Sequence, residues 1–256
     1  MMNEDARTRL IELIQEAEDA LTLGYRRHRP LPEIRPKPRV STAQGAAPAP
    51  ALSATPPPED RAAREAALRE LEEQIRLCTR CPLNEGRTNA VPGMGVLDPL
   101  VMVIGEGPGA QEDARGEPFV GRAGQYLDKW LAAIELSRES NVYITNIVKC
   151  RPPGNRDPEP GESAACNPYL EQQIDIVRPR AILAVGRISS SFLAGRSDGI
   201  GRIRGKTYAY RGIPLVATYH PSGVLRNEQW RRPVWEDLKR LRALLDGTDP
   251  DAAPDS

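Results

Sequence analysis

Four short apolar runs punctuate the second half of the chain. Residues 100–104, Leu-Val-Met-Val-Ile, are continuously apolar and closed by Gly105, as a strand buried on both faces would be. Comparable runs lie at 142–148, 181–185 and 213–217. The segments 124–135, 163–177, 189–194 and 234–245 read as helices that separate and follow them. Strands alternating with helices predict an α/β fold with a parallel sheet covered on both faces. Such sheets place ligands at the carboxyl ends of their strands.

The first half reads differently. Residues 4–24 carry Leu10, Ile11, Leu13, Ile14, Ala17, Ala20 and Leu21 on one helical face. Residues 30–58 hold nine of the 25 prolines and no apolar periodicity, which predicts an extended, semi-stiff linker. A second helical run, 59–77, leads straight into Cys78. The expected organisation is an N-terminal helical extension (1–29), a Pro/Ala-rich linker (30–58), one catalytic-sized domain (59–247, its motifs within 77–245) and a disordered tail (248–256). The first helix reads either as a tethered partner-binding peptide or as a loosely ordered extension.

Composition changes this picture little. A chain of 256 residues with 39% hydrophobic content can bury one substantial core. The formal net charge of zero hides a mildly basic domain: residues 78–247 contain 23 Lys/Arg and 19 Asp/Glu. That bias suits a phosphate-binding surface but is common among ordinary domains. No apolar run approaches the roughly 18 residues of a membrane span. Residues 1–10 alternate charges and lack a secretory core. A cytoplasmic protein without membrane contact is therefore expected, and in that reducing compartment four cysteines point to metal binding or burial, not disulfides.

The candidate chemistry sits at the strand ends. Gly105-Glu106-Gly107-Pro108-Gly109-Ala110 satisfies the dinucleotide pattern G-x-G-x-x-A. That pattern must open a helix, whereas Pro108 and a polar, glycine-interrupted stretch follow, and no acidic residue ends the next strand to hold a ribose. What remains is a glycine-rich loop that brings backbone near a ligand, with carboxylates Glu106 and Glu112 and the aromatic Phe119. Phe119, one of two phenylalanines, reads as a stacking platform or as a core plug. Asn146 ends the second strand, where a buried amide is either a satisfied structural group or a reader of a base edge. His220, one of two histidines, ends the fourth strand and precedes Pro-Ser-Gly and Arg226, which suits a donor beside a phosphate-binding turn. Cys78, Cys81, Cys150 and Cys166 form two separated pairs, with C-x2-C closing a helix. Spacing alone leaves zinc, the commoner choice, a cubane cluster and simple burial all open.

Taken together, GEGPGAQED (105–113), GEPFVGRAG (116–124), ITNIVKCRPPGNRDP (144–158) and HPSGVLR (220–226), with all four cysteines, resemble the type 4, iron–sulfur uracil-DNA glycosylases. The resemblance implies a three-layer sandwich around a four-stranded parallel sheet, a [4Fe–4S] cluster on the four cysteines, and monofunctional excision of uracil from single- or double-stranded DNA by a monomer. It implies that Phe119 stacks on an extruded uracil, that Asn146 pairs with its polar edge beside the Gly107 loop, and that His220 donates to its O2. One of Glu106 and Glu112 is expected to position water or stabilise the sugar cation, with Glu112 also crowding the position of a thymine methyl. Ser222, Leu225 and Arg226 would meet DNA, as wedge and phosphate contacts. The N-terminal extension departs from the compact members and suggests a protein partner. A non-catalytic iron–sulfur module that binds DNA or senses redox state is the competing reading, and a zinc-stabilised nucleotide-binding domain is a third.

Overall fold

The computed structural model describes residues 60–248, so the expected helix at 4–24, the linker and nearly all of the tail lie outside the described residues. Four parallel strands form the centre: β2 (Val101–Gly105), β3 (Val142–Asn146), β4 (Ala181–Val185) and β6 (Ile213–Thr218). Their spatial order is β3-β2-β4-β6. Every side chain of β2, β3 and β4 is buried, which is why these segments read as unbroken apolar runs. Alternation sorts the side chains by face. Met102, Ile104, Tyr143 and Ile182 pack beneath α1 (Arg61–Arg76) and α5 (Pro160–Val177). Val101, Val103, Val142 and Leu183 pack against α4 (Arg122–Ala132) and α9 (Arg231–Leu245). Two apolar faces on one sheet give three layers.

Two antiparallel edges extend the expected four-stranded sheet to six. β1 (Met94–Gly95) pairs with β3, and β5 (Thr207–Tyr210) pairs with β6. Neither edge is fully buried, so neither carries a continuous apolar run. A second correction concerns the loop after β2. A helix does open there, α3 (Ala110–Arg115), with Gly109 as its cap residue. Pro108 stops short of the helix, and two of its six residues are acidic and lie in its first turn, where they complement the helix dipole. The rejection of a dinucleotide site therefore rests on the missing acidic residue after β3 alone.

Helix starts are set by capping that crosses sequence distance. α5 begins at Pro160, earlier than periodicity suggests, because proline suits the first turn and Glu162 accepts from the Glu159 N–H at 2.7 Å in a capping box. α4 begins at Arg122 because Oε1 of Glu112 accepts from the N–H groups of Val120 and Gly121, each at 2.9 Å. The remaining short helices are α2 (Leu83–Gly86), α6 (Arg187–Ala194), α7 (Ile200–Ile203) and α8 (Pro221–Arg226).

Candidate active site

The carboxyl ends of β2, β3 and β6 open into one cleft of about 480 Å³, lined by Glu106, Gly107, Glu112, Phe119, Asn146 and His220, with Ser222 and Arg226 at one side. The pairing of Gly105 with Asn146 sets the first two strand ends level. Glycine makes the closeness possible. A side chain at Gly105 would collide with Oδ1 of Asn146 and with the Phe119 ring, 2.7 Å from its Cζ. One at Gly186, where φ is +99°, would press on Cβ of His220 at 3.1 Å.

Phe119 belongs to the core and also lines the cleft. It is 6% exposed and packs into the α4–α9 core, yet its ring also forms a wall of the cleft, 5.7 Å from the His220 ring. Its φ of +53° is the left-handed region, unusual for an aromatic residue and found where surroundings hold the backbone in place. Asn146 is 2% exposed, and its Oδ1 has no hydrogen-bond partner among the described residues. An unmatched buried amide oxygen costs roughly 1–3 kcal/mol, so its place at the cleft wall points to a ligand that donates to it.

His220 caps α8. Its Nδ1 accepts from the Ser222 N–H at 3.2 Å and lies 2.8 Å from the Ser222 hydroxyl. Burial, aided by the positive charge of Arg226 and opposed by Glu112, pushes the imidazole down to about 4. The ring is therefore neutral at pH 7, and with Nδ1 accepting, the proton resides on Nε2. Glu106 behaves oppositely. Desolvation first, then the charge of Asp157, raises its carboxyl to about 7 against a lowering effect of Arg187, and Asp157 also hydrogen-bonds to it. Asp157 in turn pairs with Arg187. The two cleft glutamates thus differ: Glu106 is a carboxyl poised near neutrality, while Glu112 is tethered to backbone at the start of α4. Leu225 and Arg226 are exposed on α8, Leu225 by 39%.

The four cysteines come together elsewhere. Cys78 and Cys81 follow α1, Cys150 follows β3 and Cys166 lies in α5, and all four line one cavity as free thiols. Among the described residues, no three His, Cys, Asp or Glu side chains are grouped as the ligands of a single ion. Four thiols lining one cavity supply the sulfur donors that a zinc ion or an iron–sulfur cluster takes. The surrounding positive charges favour the thiolate form of the cysteines. Nη1 of Arg87 donates to Sγ of Cys150 at 3.0 Å, and Nε and Nη1 of Arg80, whose guanidinium lies over the Tyr169 ring, are buried with no hydrogen-bond partner among the described residues. Burial pushes the Cys166 thiol up to about 11, so thiolates there need a compensating cation.

Comparison with known proteins fits these observations. The uracil DNA glycosylase superfamily profile matches residues 92–239. The chain is 46% identical to a type-4 uracil-DNA glycosylase of Pyrobaculum aerophilum over 67% of its own length and 91% of the relative. It is 43% identical to one of Thermotoga maritima over 71% of the chain and 96% of the relative. It is 42% identical to one of Sulfurisphaera tokodaii over 69% and 84%. The chain belongs to the type-4 uracil-DNA glycosylases.

In this glycosylase the cleft and the cysteine cavity are joined by a residue that sequence reasoning left without a role. Lys149 is 1% exposed and lines the cysteine cavity. Its Nζ donates to Oγ1 of Thr145 at 2.6 Å, to the carbonyl of Asn146 at 2.7 Å and to Oε1 of Gln173 at 2.6 Å. Gln173 and Thr145 both donate onward to the Pro92 carbonyl, at 2.8 and 2.7 Å. A lysine between an asparagine and a cysteine in sequence could have been suspected, but its three acceptors come from β3 and α5 and are invisible in one dimension. Asp157 and Arg187 were missed for the same reason.

Proposed function

We propose that this glycosylase hydrolyses the N-glycosidic bond of uracil in DNA and leaves an abasic site, the opening step of base-excision repair. The observation that supports this best is the unmatched Oδ1 of Asn146, set beside an aromatic face and a neutral histidine donor. A base within a duplex cannot be reached, so the nucleotide is extruded into the cleft or taken from single strand. Phe119 stacks on it. Asn146 accepts from N3–H and donates to O4, which fits uracil and reverses the pattern of cytosine. Glu112, fixed by its backbone bonds, is the rigid wall that leaves no room for a thymine methyl.

Bond cleavage gives an oxocarbenium-like sugar and a uracil anion. The Nε2–H of His220 donates to O2 as negative charge develops there, a preorganised donor of the kind whose removal costs on the order of 100- to 1,000-fold. Water adds to the sugar C1′, and its proton passes to the Glu106 carboxylate beside Asp157. Ser222 and Arg226 hold a flanking phosphate, and Leu225 fills the space the extruded nucleotide leaves. Cys78, Cys81, Cys150 and Cys166 hold a [4Fe–4S] cluster, which supplies a rigid crosslink between α1, α5 and the β3 end, together with a redox-capable centre. The protein acts as a cytoplasmic monomer, with the catalytic domain at 59–247 and the extension at 1–29, joined through the 30–58 linker, as the site for a protein partner.

The test is incubation with a single-stranded oligonucleotide bearing one uracil, followed by alkali. Scission at uracil and not at thymine in a matched control is expected. Absence of scission from a brown, cluster-loaded sample would transfer the case to the non-catalytic binding or sensing module.

A further inference from the structure

Phe119 occupies a backbone region that residues with a Cβ enter only under constraint. Three features supply that constraint. Gly124 has no side chain where one would overlap the Phe119 carbonyl. Glu112 accepts from the next two N–H groups, at Val120 and Gly121. The third comes from outside the loop. Arg138, beyond the end of α4, donates through Nη1 to the Pro118 carbonyl at 3.2 Å and through Nη2 to the Phe119 carbonyl at 3.0 Å. Its guanidinium is itself aimed by Asp128 on α4, which accepts from Nε at 2.9 Å and from Nη2 at 2.6 Å. The Arg138 side chain is only 14% exposed and its bonds to the two carbonyls are partly buried, while Asp128 is half exposed.

From this geometry we infer that Arg138 is a positioning residue for the aromatic wall of the cleft. It touches no reacting atom. It holds two consecutive carbonyls so that the peptide between them keeps Phe119 left-handed and its ring directed at Gly105 and His220. Without the fork, the backbone relaxes toward negative φ and carries the ring away from the base plane. Lysine cannot reproduce the effect fully, because a point charge cannot bond both carbonyls and Asp128 in one plane. The inference rests on the proposed stacking of uracil on Phe119.

A double-mutant cycle tests it: wild type, Arg138→Ala, Phe119→Ala and the double variant, each assayed for single-turnover uracil excision and thermal unfolding. Arg138→Ala is expected to lower the rate about tenfold to a hundredfold, the scale of a misplaced substrate contact. In the Phe119→Ala background the same change is expected to alter the rate less than about twofold, since its target is gone. Arg138→Lys, which keeps the ion pair and is the variant to use if the alanine protein does not fold, is expected to fall between wild type and Arg138→Ala, with the same loss of effect in the Phe119→Ala background. Equal fold-losses in both backgrounds, or an unchanged rate in the Phe119-containing protein, would overturn the inference while leaving uracil excision intact. A wild-type protein inactive on uracil would overturn the functional reading and this inference together.

Discussion

The cleft and the cysteine cavity both contain buried polar groups without partners, but of opposite character. In the cleft the unmatched atom is an acceptor, Oδ1 of Asn146, next to a histidine held neutral by burial. In the cavity the unmatched atoms are the donors Nε and Nη1 of Arg80, among four thiols. The first suits a ligand with a donor of its own, the second suits acceptors such as thiolate sulfurs. Between them, Lys149 leaves nothing open, spending all three of its donors on protein oxygens. At these two sites the unmatched groups face a cavity that a ligand can enter, while the filled Lys149 network lies between them as scaffold.

Substitutions that exchange these characters should separate the regions. Cys166→Ser is expected to have the largest effect: loss of the brown absorption and of cooperative unfolding at the wild-type temperature, read by visible spectrum and calorimetry, because cluster binding is folding free energy. Asn146→Ala should keep the absorption yet lose about a hundredfold or more in kcat/KM, and a colourless protein would mean the two regions are not separable in this way. Lys149→Met strands the Thr145, Asn146 and Gln173 oxygens and should destabilise by roughly 2–4 kcal/mol, measured by denaturant titration. Glu106, with its carboxyl at about 7, should give a rate that rises with pH as the group ionises, a step that Glu106→Gln removes. Its stability contribution has the opposite sign: between the ordinary 4.5 and about 7 only the folded form is protonated, so folding weakens as pH rises through that window. Least of all, Arg211→Ala, which breaks a half-exposed pair with Asp175 outside both sites, should cost under about 1 kcal/mol and leave excision unchanged.

The parallel strands and the Cys-x2-Cys pair were legible because each is a local signal, a buried run or a fixed spacing. The edges β1 and β5 were not, since a two-residue strand has no period and Thr207–Tyr210 is only partly buried. The start of α4 escaped because its carboxylate cap, Glu112, lies nine residues before Gly121. Phe119 resisted a single assignment because it serves the core and the cleft at once. At His220 the residue was evident, but its protonation state depends on Ser222, Arg226 and burial acting together. Asp157 and Arg138 derive their roles from partners outside their own segments, and Lys149 completes its set of acceptors only with Gln173 from α5.

The most direct test of the account is single-turnover excision by wild type and His220→Ala on one uracil-bearing strand, with the visible spectrum of both proteins recorded. The account predicts scission at uracil, a loss on the order of 100- to 1,000-fold in the variant, and identical spectra. A His220→Ala protein that keeps its spectrum and the full wild-type rate would contradict it.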